Sequence, residues 1–233
     1  MQHAHEHPFN DTDALNNALS DDIACTLRAA IAARGQASLV VSGGRTPLAL
    51  FNRLSLQNLA WCQVTITLTD ERWVEPHAHA SNERLVRVEL LRNRAADACF
   101  IGLKSSVDSA ASSAMHSWRK LAQIPRPFDL VVLGMGDDGH TASLFPASAA
   151  IATALDGSLR PACIAMQAPV APHERLSLNL AALLETRRIV LHIQGANKWQ
   201  VYQMARAAGE AVAVPIRAVL RQALVPIDVY WSP

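Results

Sequence analysis

Apolar residues recur every four positions between Asp11 and Arg34, at Leu15, Leu19, Ile23, Leu27 and Ile31. That spacing lays one stripe along a helix, with Asp11 or Thr12 as its cap and Gly35 as its stop. The pattern then changes period. Leu39-Val40-Val41 reads as a short buried strand that ends in the Gly43-Gly44 turn, and Pro47 suits the first turn of a following helix. Val64–Leu68 is a second strand, running into Asp70-Glu71-Arg72. Ser81–Arg92 reads as a helix whose Leu85, Val88 and Leu91 face inward. Cys99–Ile101 reads as a strand, Ser109–Gln123 as a helix and Leu130–Leu133 as a fully buried strand. Ile164–Met166 and Ile189–Ile193 supply further strands, Asn197–Ala208 and Ile216–Gln222 helices, and Ile227–Trp231 a last strand. Strands alternate with helices throughout. The expectation is an α/β, Rossmann-like domain: a mostly parallel sheet with helices on both faces, one domain over residues 11–233. Residues 1–10 read as a flexible polar tail, and Pro161–Pro172 is the one candidate for a join between subdomains.

Composition narrows the partners. A chain of 233 residues, half of them apolar, is ample for a core. With 21 basic against 20 acidic side chains there is no general field for nucleic acid, so any anion must be held by a few placed residues. No apolar run has the length of a signal peptide or membrane span, so no membrane partner is expected. Cys25, Cys62, Cys99 and Cys163 form no Cys-x-x-Cys pair and read as reduced, mostly buried thiols of a cytoplasmic protein. His3, His5 and His7 in the amino-terminal stretch read as part of the frayed tail, with incidental metal binding as the alternative.

The densest chemistry follows the Leu130–Leu133 strand. Gly134 and Gly136 break it, and Asp137, Asp138 and His140 follow where a new helix could start. Ligands of open α/β sheets bind at the carboxyl ends of strands, so His140 is presented to a cleft. Asp138 can accept the proton of one ring nitrogen and leave the other free as a base. The alternative is a glycine-rich turn with a solvated Asp pair and an idle His. His77 and His79 are the rival histidines, without a glycine-shaped turn. Ser42-Gly43-Gly44-Arg45-Thr46 offers backbone N–H groups and a helix start to an anion, although Gly-Gly after a strand is also an ordinary tight turn. It lacks the Lys-Ser/Thr ending of a nucleotide P-loop and the spacing of a dinucleotide fingerprint, so a sugar phosphate fits better than a nucleotide. Asp70 and Arg72 either project into the same cleft or form a local ion pair, and Ser81-Asn82 is explained by helix capping. Taken alone, Arg175 and Lys198 could equally be surface charges, and Arg187, Arg188 and Arg206 read as such. There is no His-Glu-x-x-His metal set and no Gly-x-Ser-x-Gly nucleophile elbow.

The stretch Gly-Met-Gly-Asp-Asp-Gly-His-Thr-Ala-Ser-Leu-Phe-Pro, residues 134–146, resembles the signature of the 6-phosphogluconolactonase family. Ser42–Pro47, Thr69–Val74 with Ser81-Asn82, Arg175–Leu178 and Gly195–Lys198 are similar to further segments of that family, in the same order. The resemblance implies hydrolysis of 6-phospho-D-glucono-1,5-lactone to 6-phosphogluconate, in the second step of the oxidative pentose phosphate pathway. It implies His140 as general base, Asp138 orienting it, and Arg72 stabilising the lactone oxyanion. Ser42, Gly43, Gly44, Arg45, Thr46, Asp70, Arg175 and Lys198 would bind substrate, with Gly43–Thr46, Arg175 and Lys198 converging on the phosphate. No metal or other cofactor is expected, and the protein would be a monomer or weak homodimer. The related glucosamine-6-phosphate deaminases carry a Glu where this chain has Phe145, and a Tyr where it has Arg72. Both differences favour the lactonase over the deaminase; a sugar-phosphate sensor that has lost catalysis is disfavoured because His140 and Asp138 are both present.

Overall fold

The computed structural model describes residues 4–233. Strand β1 (His5–Pro8) precedes the long helix α1 (Thr12–Arg34). Asp11 caps α1 by accepting from the Ala14 N–H at 2.7 Å. Gly35, at φ 75°, closes it by donating to the Ile31 carbonyl. Leu15, Leu19, Ile23 and Leu27 of the stripe are buried. Then come β2 (Ala37–Val41), α2 (Pro47–Leu54), β3 (Val64–Leu68), β4 (Asp70–Arg72), α3 (Asn82–Glu89), β5 (Cys99–Ile101) and α4 (Ala110–Leu121). The second half holds β6 (Leu130–Leu133), α5 (Ile151–Ala154), β7 (Cys163–Gln167), β8 (Glu174–Leu178), α6 (Leu180–Leu184), β9 (Ile189–Gln194), α7 (Ala196–Arg206), α8 (Ile216–Arg221) and β10 (Ile227–Ser232).

Seven strands form one parallel sheet in the order β1-β10-β9-β6-β2-β3-β5. The central strands are buried throughout, which is why they read as unbroken apolar runs. From β2 the chain winds outward through β3 and β5. It then returns to β6 on the other side of β2 and continues through β9 and β10. The winding direction therefore reverses between β2 and β6, and a crevice opens beyond their carboxyl ends.

Several expectations are corrected. Residues 5–8 are not a loose tail. They form the edge strand β1, in register with β10 from His5↔Asp228 to Pro8↔Trp231. His3 lies outside the described residues. The Ile164–Met166 strand does not join the parallel sheet. It belongs to β7, in a separate antiparallel sheet of order β4-β8-β7 that rests on α4. The stretch Pro161–Pro172 thus carries a strand rather than a join. No helix starts at Asp138, because the chain runs through turns as far as the four-residue α5. In α3, Val86 and the adjoining Leu90 are buried while Val88 is 47% exposed, since the helix turns Val88 away from the sheet. Cys25, Cys62 and Cys99 are exposed, and only Cys163 is buried; all four are free thiols. Arg188 is no plain surface charge: it bridges Asp22 at 2.8 Å and Asp228 at 2.7 Å. Among the described residues, no helix is long and apolar enough to cross a membrane.

Candidate active site

Beyond the carboxyl ends of β2 and β6 lies a cavity of about 520 Å³, within the range of small-molecule sites. Ser42, Gly43, Gly44, Arg45, Thr46, Asp70, Arg72, Asp138, His140, Arg175 and Lys198 all line it. Residues far apart in sequence are thus brought to one space. His77 and His79 do not line it.

The His140 ring is fixed on two sides. Its Nδ1 lies 2.5 Å from Asp138 Oδ1, and the same oxygen accepts the His140 backbone N–H at 3.0 Å. The Phe145 ring packs 4.5 Å from the imidazole. Burial acts to raise the Asp138 pKa, but the hydrogen bonds and charge of His140 outweigh it and hold the carboxyl below its ordinary value. An ionised Asp138 accepts a hydrogen bond from Nδ1–H and so leaves Nε2 as the unprotonated nitrogen of the neutral ring. Gly136 makes the turn possible: its N–H donates to the His140 carbonyl at 2.9 Å, and a Cβ there would lie 2.2 Å from the imidazole.

The small antiparallel sheet forms the opposite wall. Its chain leaves the main sheet just after β3, so β4 projects beyond the carboxyl edge. Side chains alternate across a strand, and the β4–β8 register pairs Asp70 with Ser177 and Arg72 with Arg175. Of these, Asp70, Arg72 and Arg175 line the cavity. Asp70 accepts from Ser143 Oγ at 2.5 Å and Thr69 Oγ1 at 3.0 Å, which anchors the loop after His140. Arg72 donates to the Ala80 carbonyl at 2.6 Å. Arg175 is only 7% exposed, and its buried Nε has no partner among the described residues. Burial, then the neighbouring Arg72 charge, lowers the Arg175 pKa; Asp70 and Glu71 oppose this. Like charges opposite one another are unfavourable without an anion between them. Arg175 stands beside Arg72, with its guanidinium 5.9 Å from the centre of the Phe145 ring, and lines the same cavity as Lys198 and Gly43–Thr46.

Lys198, in the first turn of α7, donates to the Met135 carbonyl at 2.7 Å. Its pKa is lowered by burial, with Arg45 adding to the shift and Asp137 opposing it. Thr46 precedes α2 without a capping bond from its side chain, so its hydroxyl is available to a ligand. Gly43 is bare for a visible reason: a Cβ would lie 1.9 Å from Asn82 Oδ1. Ser81 does cap α3, accepting from the Arg84 N–H at 3.1 Å. Asn82 is more than part of a cap. It lines the cavity, donates to the Asp70 carbonyl at 2.9 Å, and leaves a buried Oδ1 without a partner among the described residues. Beneath it, the fully buried Glu71 accepts from the N–H groups of Arg72, Asn82 and Glu83 and from Ser81 Oγ. Burial raises the Glu71 pKa while these bonds pull it down.

His192 was not singled out in the sequence, where it is one polar residue in an apolar strand. It lines the cavity and is 2% exposed. Burial, then the Lys198 charge, pushes its pKa down from 6.5 to about 3. Between those values the unfolded chain holds a proton on this ring and the folded chain does not. Stability therefore falls as pH drops through that window, by about 1.4 kcal/mol per unit. Thermal unfolding followed from about pH 7.5 to 4.5 should show wild type losing Tm more steeply than His192→Gln. Parallel curves would mean that the ring does not contribute to acid lability.

A family model described as glucosamine-6-phosphate isomerases/6-phosphogluconolactonase matches residues 10–231. A 6-phosphogluconolactonase of Rhizobium meliloti is 45% identical over 230 residues, 99% of each chain. The crystal structure of a 6-phosphogluconolactonase from Shewanella baltica superposes with a TM-score of 0.95 at 48% identity, covering 100% of this chain and 99% of that one. A monomeric glucosamine-6-phosphate deaminase shares the fold, with a TM-score of 0.80 at 15% identity over 98% of this chain and 97% of its own.

Proposed function

The chain belongs to the glucosamine-6-phosphate isomerase and 6-phosphogluconolactonase family, and from that premise we propose that its cavity hydrolyses 6-phospho-D-glucono-1,5-lactone to 6-phosphogluconate. One observation carries the reading: an Asp138-oriented His140 shares its cavity with Arg45, Arg72, Arg175 and Lys198. His140 Nε2 takes a proton from water as the water oxygen bonds to the lactone carbonyl carbon. Negative charge gathers on the carbonyl oxygen, where Arg72, supported by Arg175, stabilises it. The intermediate collapses, the bond from carbonyl carbon to ring oxygen breaks, and the imidazolium returns its proton to that oxygen. Asp138 stabilises the imidazolium in between. The new carboxylic acid ionises at neutral pH, so each turnover releases one proton.

The phosphate is held at the other end by the N–H groups and side chains of Gly43–Thr46, at the start of α2, with Arg45 and Lys198. Asp70 and Ser42 position the loops around it. Phe145 packs on His140 where a deaminase would place a second acid, so the longer proton relay of amine loss has no group to run on. Proton release measured in a weakly buffered solution of the lactone, with spontaneous opening subtracted, tests the proposal. Acceleration on the phosphorylated lactone without ammonia release from glucosamine 6-phosphate is the expected result. Ammonia release, or no acceleration of lactone opening, would overturn it.

A further inference from the structure

On the opposite edge of the sheet, three donor atoms converge. His5 and His7 lie two apart on β1 and so share a face. The register puts Asp228 of β10 directly beside His5. His5 Nδ1 is 2.9 Å from His7 Nε2; Asp228 Oδ1 is 2.7 Å from His7 Nε2 and 3.4 Å from His5 Nδ1. We infer that His5, His7 and Asp228 form a binding site for one divalent transition-metal ion of the zinc class, clamping the amino-terminal strand to the last strand.

Tetrahedral bonds of about 2.0–2.1 Å set neighbouring ligand atoms about 3.3 Å apart, so the two shorter sides need to open by about 0.4 and 0.6 Å while the third already fits. Two ring nitrogens and a carboxylate oxygen suit zinc, cobalt or nickel, whereas magnesium and calcium prefer all-oxygen sets. The surroundings hold the ligands in place. Arg188 donates to the second Asp228 oxygen at 2.7 Å, which orients the carboxylate and leaves Oδ1 for the ion. Asp22 pairs with Arg188 at 2.8 Å, so the group keeps a net negative charge. The His7 ring is stacked on Tyr230 at 4.5 Å. His5 is largely exposed and gives the ion its path of entry. The site lies at the start of the parallel strands and the lactone cavity beyond their ends, so the ion acts on stability and takes no part in turnover.

The test uses the full chain stripped with a chelator. Calorimetric titration with zinc chloride should give one ion per chain, and cobalt chloride should develop visible d–d absorption at one equivalent. Zinc at a hundredfold excess over Kd should raise Tm by roughly 5–10 °C. His5→Gln or His7→Gln should weaken binding tenfold or more, and the double variant should lose both the absorption and the Tm rise. That double variant should keep its Tm in chelator and its lactone turnover. His77→Gln/His79→Gln, a second pair two residues apart, should bind as wild type does. Unchanged zinc affinity in His5→Gln/His7→Gln, no binding to wild type, or only weak binding shared with His77 and His79 would overturn the assignment.

Discussion

His140→Ala lowers kcat on the phosphorylated lactone by roughly 10²–10⁴-fold, the usual contribution of a positioned general base. KM changes little, because the phosphate contacts lie on other elements. Steady-state kinetics on protein with unchanged thermal unfolding checks this. Free imidazole added to His140→Ala should restore part of the rate, since the cavity then has room for the missing ring. Asp138→Asn should also lose rate while keeping its shape. The amide cannot stabilise an imidazolium, and it can present N–H to Nδ1, which favours the tautomer with the proton on Nε2. A folded His140→Ala protein with near wild-type kcat would remove His140 from the chemistry.

The second large effect separates the two cationic groups. Lys198→Ala and Arg45→Ala each remove a charge-assisted contact of about 1.5–3 kcal/mol, so KM for the phosphorylated lactone rises roughly tenfold to a hundredfold. Unphosphorylated gluconolactone never makes that contact and should be turned over by these variants as by wild type. Arg72→Ala and Arg175→Ala should behave differently, losing kcat on both substrates. They face each other across β4 and β8, and the Phe145 ring that packs on His140 lies 5.9 Å from the Arg175 guanidinium. The comparison is made on both lactones under the same conditions. If Arg175→Ala raised KM on the phosphorylated substrate alone, Arg175 would belong with Lys198 at the phosphate, as its sequence motif implied. Equal losses on both substrates for Lys198→Ala would place that lysine in the chemistry or the fold.

Much of the site was legible because its signals are local. Glycines at 43, 44, 134 and 136 mark chain reversals after apolar strands, and in a parallel sheet such reversals open on the ligand-binding edge. His140 and Asp138 are two residues apart, so their pairing needs no knowledge of the rest of the chain. Asn82 and His192 were not legible in the same way. Asn82 lies in a segment that resembles one of the family's, but its place at a helix start explained it well enough, and only the folded chain shows it lining the cavity with Gly43 close against it. His192 differs from an ordinary strand residue only in what surrounds it.

The sequence by itself determined the alternation of strands and helices, the caps of α1, the glycine turns and the residue types offered at each strand end. Those follow from periodicity and backbone sterics within a few residues. Tertiary structure alone decided which strands pair. It drew β4, β7 and β8 out of the main sheet and set Arg72 against Arg175. It made His5–Pro8 an edge strand and brought His5 and His7 to Asp228 across more than two hundred residues of chain. Strand register is fixed by partners distant in sequence, and a shift of one residue turns every side chain to the other face. The neighbours of a charged side chain, and therefore its chemistry, are set by that register and not by its own segment.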